Sequence, residues 1–317
     1  MRRIPLVILI LAVLTVAACS RSKGPPLAGD YPLTRLTDHV YVIHGPNDLP
    51  TKQNQGFMNN PGFVLTNKGV VVIDPGSSVQ IGEMVLKKIA GVTKNPVIAV
   101  FNTHIHGDHW LANDAIRAVH PQAVIYAHPN MRAKAAVEGE NWLKLMSTLT
   151  DDAIKGTRAL PPNMDINHDE TLTLGGKHFR VIHTGTAHTD GDIMIEVVED
   201  RVLFAGDNIV TERTARMDDG NFKGNIAAVE AALKVNAKFI VPGHGLSGGR
   251  EIADAYLVYL KTFYGSVKKY FDQGLSDFDM KDKVIADLKP YQKWVLFDAE
   301  IGKFISLAYL QIEAEAF

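Results

Sequence analysis

The sequence predicts an α/β domain built of two β-sheets with helices packed outside them. Three observations lead there. Short β-branched runs switch repeatedly with longer stretches of helical periodicity. Strands come first, then a strand–helix–strand unit, then strands again, the order of a layered structure. The most histidine-rich segment directly follows an apolar strand, which places it at a sheet edge.

Taken in order, residues 1–18 read MRRIPLVILILAVLTVAA: two arginines, an apolar run shorter than a comfortable bilayer span, then small residues. This reads as a signal peptide, not part of the fold, with an uncleaved membrane anchor as the alternative. It ends in Val16-Ala17-Ala18-Cys19, which resembles a bacterial lipobox and puts the only cysteine at the acylation position. The resemblance implies cleavage before Cys19, a lipid anchor on it, and a periplasmic protein held at a membrane. Ser20 in place of Asp implies the outer membrane. Loss of Arg2 and Arg3 would move the formal net charge from −2 to −4. Residues 19–37, with Gly24-Pro25-Pro26 and Gly29, read as a flexible tether.

The main domain is expected over residues 38–250. Residues 40–44, 62–66 and 70–73 read as strands, the last closed by Asp74-Pro75-Gly76. Residues 80–90 carry helical periodicity, 97–101 form a short buried strand, 110–119 a helix and 123–127 a strand. Residues 129 to about 160 are helical and polar with Trp142, Leu145, Met146 and Leu149 scattered among them, and look like a helical insertion ending at Pro161-Pro162. Further strands are expected at 171–174, 179–183, 192–198 and 202–205. Residues 251–317, rich in tyrosine and phenylalanine, form a C-terminal helical extension of two or three helices.

Of 317 residues, 46% are hydrophobic and 21% charged, which excludes a disordered chain. A single cysteine excludes a disulfide framework and a cysteine-rich zinc finger. A net charge of −2 carries no electrostatic footprint for nucleic acid, so a small-molecule partner is expected instead.

The chemistry concentrates at residues 103–110, Thr-His-Ile-His-Gly-Asp-His-Trp. Three histidines and an aspartate in six residues are too costly to bury unpaired to be core. At a strand end His104 and His106 point the same way, and the turn at Gly107 swings Asp108 and His109 toward a second point. Nitrogen and oxygen ligands at two adjacent points suit two metal ions of the kind zinc exemplifies. Asp207 ends an apolar strand at a glycine, and His244 lies between two glycines after the run 239–241. Each is delivered to a sheet edge where a shared site could assemble.

His-x-His-x-Asp-His resembles the signature of the metallo-β-lactamase-fold hydrolases, and further landmarks follow in order. Val71-Val72-Ile73-Asp74-Pro75-Gly76 is similar to the family's early strand ending in Asp. Gly185-Thr186-Ala187-His188-Thr189-Asp190-Gly191-Asp192 is similar to its Gly-x-x-His-Thr-x-Gly-Asp motif. Leu203-Phe204-Ala205-Gly206-Asp207 and Val241-Pro242-Gly243-His244-Gly245 resemble the last two. The likeness covers roughly residues 38–250 and implies a four-layer αββα sandwich. It implies one metal on His104, His106 and His188, a second on Asp108, His109 and His244, and Asp207 bridging them, a ligand set like that of glyoxalase II. His183 competes with His188, but only His188 heads the Thr-x-Gly-Asp sequence. Asp74 is expected to orient a ligand, not to be one. His44, His120, His128, His168 and His178 show no spacing signal and read as surface or hydrogen-bonded residues.

By the same resemblance, di-iron relatives carry glutamate where this chain has His106, which implies zinc, two ions per chain. The implied reaction is hydrolysis of an ester, thioester, lactone, amide or phosphoester by a metal-bridging hydroxide, which Asp108 and Asp207 help to hold and orient. Several β-lactam-hydrolysing relatives have cysteine at the place of Asp207, which turns the expectation away from a primary β-lactamase. Two other classes stay open: a mononuclear iron dioxygenase acting on persulfides, and a non-catalytic periplasmic metal-binding or assembly factor.

Overall fold

Residues 24–316 are described by a computed structural model. The signal peptide expected at 1–18 and the lipidation site expected at Cys19 lie outside the described residues. Two sheets organise them. The first has seven strands in sequential order: β1 (Leu33–Arg35), β2 (Val40–Ile43), β3 (Gly62–Thr66), β4 (Gly69–Ile73), β5 (Val97–Phe101), β6 (Val124–Ala127) and β7 (Met164–Asp165). β1 to β4 pair antiparallel, and β4 to β7 pair parallel. The second runs β12-β11-β10-β9-β8, from β8 (Thr171–Leu174), β9 (Lys177–Ile182), β10 (Met194–Val197), β11 (Val202–Gly206) and β12 (Phe239–Pro242), with only β11 and β12 parallel.

Side-chain alternation builds the layers. Val71, Ile73, Ala99 and Phe101 face Phe179, Val181, Ile195, Val202 and Phe204 between the sheets. Their neighbours Val70, Val72 and Val100 face outward onto α1 (Val79–Val92) and α3 (Asn113–Val119) through Ile81, Val85, Ile89 and Ile116. On the far side Leu203, Ala205 and Ile240 pack against α5 (Phe222–Ala232), α6 (Arg250–Phe271), α7 (Asp277–Asp287) and α8 (Phe297–Ala316). The short α2 (Gly107–Trp110) and the long α4 (Pro129–Leu149) join through Trp110, Leu111, Met131 and Met146 beside the site. The result is an αββα sandwich.

Three local expectations change. Within the expected tether, Leu33, Thr34 and Arg35 form β1, paired with Ile43, Val42 and Tyr41, because β2 otherwise leaves its edge unpaired. Tyr31 packs edge-on against Phe57 at 4.7 Å. The expected helix 110–119 is two helices: the Ala112 amide donates to Gly76 O at 2.9 Å and leaves the helical ladder. The helical stretch from 129 ends at Leu149, where Thr150 caps it; residues 150–156 are turns and 157–160 are irregular. Among the described residues no helix is long and apolar enough to cross a membrane.

Candidate metal centre

Every expected ligand sits just past a strand, or in the loop between two strands, at one end of the sandwich. After β5 the chain turns through Thr103 and His104 into α2, whose first turn carries Asp108 and His109. His188 lies between β9 and β10, Asp207 follows β11, and His244 follows β12. First-sheet and second-sheet residues therefore meet at one point.

Asp207 is the hub. Its Oδ2 lies 3.9 Å from His104 Nε2, 3.4 Å from His188 Nε2 and 3.3 Å from His244 Nε2, while Oδ1 lies 3.2 Å from His109 Nε2. Asp108 Oδ2 lies 3.3 Å from both His109 Nε2 and His244 Nε2. His188 Nε2 and His106 Nδ1 face each other at 2.9 Å. Two groups result: His104, His106, His188 and Asp207, and beside them Asp108, His109 and His244, all buried. Ligand atoms within each lie inside 4.8 Å.

The donor set fits a divalent cation. His104 Nε2, His109 Nε2, Asp108 Oδ2 and Asp207 Oδ1 are buried polar atoms without a hydrogen-bond partner, at the place where they converge. A folded protein rarely leaves so many such atoms together unless something else satisfies them. Three of the histidines, His106, His109 and His244, are also held by outer acceptors that leave the other ring nitrogen facing inward. Asp74 Oδ2 accepts from His109 Nδ1 at 2.8 Å, Met58 O from His244 Nδ1 at 2.8 Å, and Asp219 Oδ2 from His106 Nε2 at 3.1 Å. Thr103 Oγ1 donates to Asp74 Oδ2 at 2.6 Å and sits 3.0 Å from His104 Nδ1. Such outer contacts fix ring orientation and raise ligand basicity.

Electrostatics point the same way. Burial pushes His188 down to about 3 and holds His104 well below its ordinary value, so both present neutral nitrogens. Burial opposes ionisation of Asp108 and Asp207, but the imidazoles outweigh it and keep both carboxyls well below the usual range. Burial likewise opposes protonation of His109 and His244, yet the carboxylates beside them raise both. A pocket that draws protons onto imidazoles draws cations, and a metal entering it releases those protons.

His183 stays apart. Its Nδ1 donates to Asp192 O at 2.7 Å, and its ring stacks on His128 at 4.0 Å. The Asp192 carboxylate instead accepts from Thr189 N and Oγ1, tightening the turn that carries His188, and burial pushes it up to about 7. Asp74, expected to orient, contacts His109 and Thr103 and belongs to neither group. Its φ of 49° is left-handed, so the strand end carries strain where the carboxylate is aimed. Sequence reasoning missed Asp219, Thr103 and the Met58 carbonyl. A loop aspartate 113 residues from its histidine has no spacing signal to find it by.

A cleft of about 310 Å³ opens over the site. Its lining combines apolar side chains, Met58, Trp142, Leu145 and Leu149, with the charged Arg213, Arg216, Asp218, Glu300 and Lys303.

Two sheets, a histidine–aspartate centre at their common end and an open cleft are the arrangement of a metal-dependent enzyme. Comparison with known proteins agrees. The profile of the metallo-beta-lactamase superfamily matches residues 55–244, and the chain belongs to that superfamily. A probable metallo-hydrolase of Streptococcus pyogenes is 27% identical over 192 residues, 59% of this chain and 79% of that protein. A hydroxyacylglutathione hydrolase of Francisella tularensis is 26% identical over 153 residues, and the match spans 48% of each chain. A metallo-beta-lactamase of Pontibacter korlensis superposes with a TM-score of 0.59 at 20% identity, covering 73% of this chain and 99% of that one.

Proposed function

We propose that the chain is a zinc hydrolase that holds two cations, cleaves an ester, thioester, lactone, amide or phosphoester, and works in the periplasm on a lipid anchor at Cys19. The observation that carries the reading is the pair of ligand groups meeting at Asp207. His104, His106 and His188 would hold one cation, Asp108, His109 and His244 the other, with Asp207 between them. Five imidazoles and two carboxylates without a thiolate suit zinc. The hydrolases named among the relatives support hydrolysis.

Cations in this position supply Lewis acidity, lowering the pKa of water to about 7 and polarising the group under attack. The chain supplies the rest. Asp108 and Asp207 contribute fixed negative charge against which the reacting group is oriented. Asp74 and Asp219 keep His109 and His106 from rotating. The walls of the cleft present the substrate to one face of the centre.

Metal analysis of protein made in defined medium, joined to a panel of ester, thioester, lactone, phosphodiester and β-lactam substrates, tests the reading. The expected result is about two zinc ions per chain, with turnover lost on chelation and restored by zinc. One iron per chain, with oxygen uptake on a persulfide, would replace it with a dioxygenase. For the anchor, Cys19→Ser should yield an unprocessed precursor; normal processing and membrane partitioning of that variant would remove the lipoprotein from the proposal.

A further inference from the structure

The chain enters the fold along α1, and it does so at the end that carries the metal centre. Asp30 pairs with Lys88 in the middle of the helix at 2.8 Å, while Gly24 lies beside Gln80 in its first turn. The Gly24 amide donates to Lys155 O at 2.8 Å, the same carbonyl that accepts from Gln80 Nε2 at 3.0 Å. Gln55 Nε2 donates to Pro25 O at 2.9 Å. The exposed Asp30–Lys88 pair adds little; the backbone of residues 24 and 25 is what these bonds hold. The first turn of α1 follows Asp74, whose carboxylate touches His109, so Gly24 sits at the cleft end of the sandwich.

The two segments that receive this strap also carry the apolar rim of the cleft. Lys155 follows α4, whose last two turns bear Leu145 and Leu149, and Gln55 belongs to the loop that bears Leu49 and Pro50. Asn54 Nδ2 donates to Leu49 O at 2.8 Å, and Lys52 pairs with Asp151 at 2.7 Å across the two segments. Leu49, Leu145 and Leu149 line one cleft and are 47%, 39% and 46% exposed. Large apolar side chains exposed together mark a protein or membrane interaction site. The length of chain outside the described residues selects the membrane. From Gly24 back to Cys19 there are five Cα steps, which reach about 18 Å at full extension. A bilayer holding an acyl chain at Cys19 must stand within that reach of Gly24. This favours the rim over the far end of the sandwich, where Val119 lies with Pro96 and Val97.

We infer that the cleft end of the sandwich faces the membrane that bears the Cys19 anchor, with Leu49, Leu145 and Leu149 lying on the lipid. The inference rests on the lipid anchor of the proposed function and is independent of the reaction catalysed.

The full-length lipoprotein, extracted from membranes and reconstituted into vesicles of phosphatidylethanolamine and phosphatidylglycerol, provides the test. Leu149→Cys, Leu49→Cys and Val119→Cys each offer one thiol to a bimane dye, because Cys19, the only native cysteine, is occupied by the lipid. A lipid carrying a nitroxide just below its headgroup is expected to quench most of the emission from positions 149 and 49. Emission from position 119 should match that in vesicles without nitroxide. Positions 49 and 149 belong to different segments, so failure of one variant to fold leaves the other to decide. Equal quenching at 119 and at the rim, or none at the rim, in protein that floats with the vesicles would overturn the inference and leave the anchor standing. Native protein that does not float with the vesicles would remove the anchor, and the inference with it.

Discussion

Asp207→Ala is expected to weaken the hold on both cations, whereas Asp108→Ala should weaken it on one. Asp207 approaches histidines of both groups: His104, His188 and His244 through Oδ2 and His109 through Oδ1. Asp108 approaches only His109 and His244. Removing Asp108 therefore leaves His104, His106, His188 and Asp207 intact, a complete set for one divalent ion. Mass spectrometry under native conditions should find about one metal per chain in Asp108→Ala, and in Asp207→Ala at most one, held more weakly by His104, His106 and His188. Hydrolysis should fall by about 10³-fold in the first, several kcal/mol of lost charge stabilisation, and further in the second. Two metals retained by Asp207→Ala would show that the groups do not share it.

Gly243→Ala is the smallest change expected to have a comparable effect. A Cβ at this position would overlap Asp207 Oδ1 and stand 2.8 Å from the carbonyl carbon of Gly206. The backbone cannot retreat, because the Gly243 amide donates to Gly206 O at 2.8 Å and to Ile209 O at 3.1 Å. The Asp207 carboxylate must rotate away, taking its oxygens from both groups. We expect metal affinity to fall at least about 100-fold and stability by about 1–3 kcal/mol, the usual cost of overpacking. Gly91→Ala is the matching control: a Cβ there meets nothing within 4 Å, and the residue lies in α1. It should gain up to about 1 kcal/mol from the lower entropy of its unfolded state. Equal metal affinity in the two variants, read by competition with a chromophoric chelator, would refute the packing argument.

The residues that the structure brings together in the candidate centre were legible because they sit in short motifs next to apolar strands. In His104 to His109 four candidate ligands of two types fall within six residues, and Asp207 and His244 adjoin glycines whose crowding by neighbours is now visible. The layers were legible because period-two alternation in runs such as 70–73 places successive valines on opposite faces. What escaped has a common physical cause. Asp219 reaches His106, the Met58 carbonyl reaches His244, and Ala112 reaches Gly76, each through tertiary approach of segments whose local sequences carry no sign of it. β1 escaped for the same reason: three residues with no alternation of their own become a strand because a partner edge is there to receive them.

The placement of the ligands on both sheets makes the centre a clasp. His104, His106, Asp108 and His109 hang from the end of the first sheet; His188, Asp207 and His244 hang from the second. Apolar packing between the sheets has no directional preference of its own and tolerates sliding, whereas coordination bonds fix both distance and angle. A cation held between the sheets therefore registers one against the other, and its binding free energy is equally free energy of holding the halves together. With free metal at 100 times its dissociation constant this amounts to about 2.7 kcal/mol. A cation bound there would thereby tie the mechanical integrity of the sandwich to metal supply.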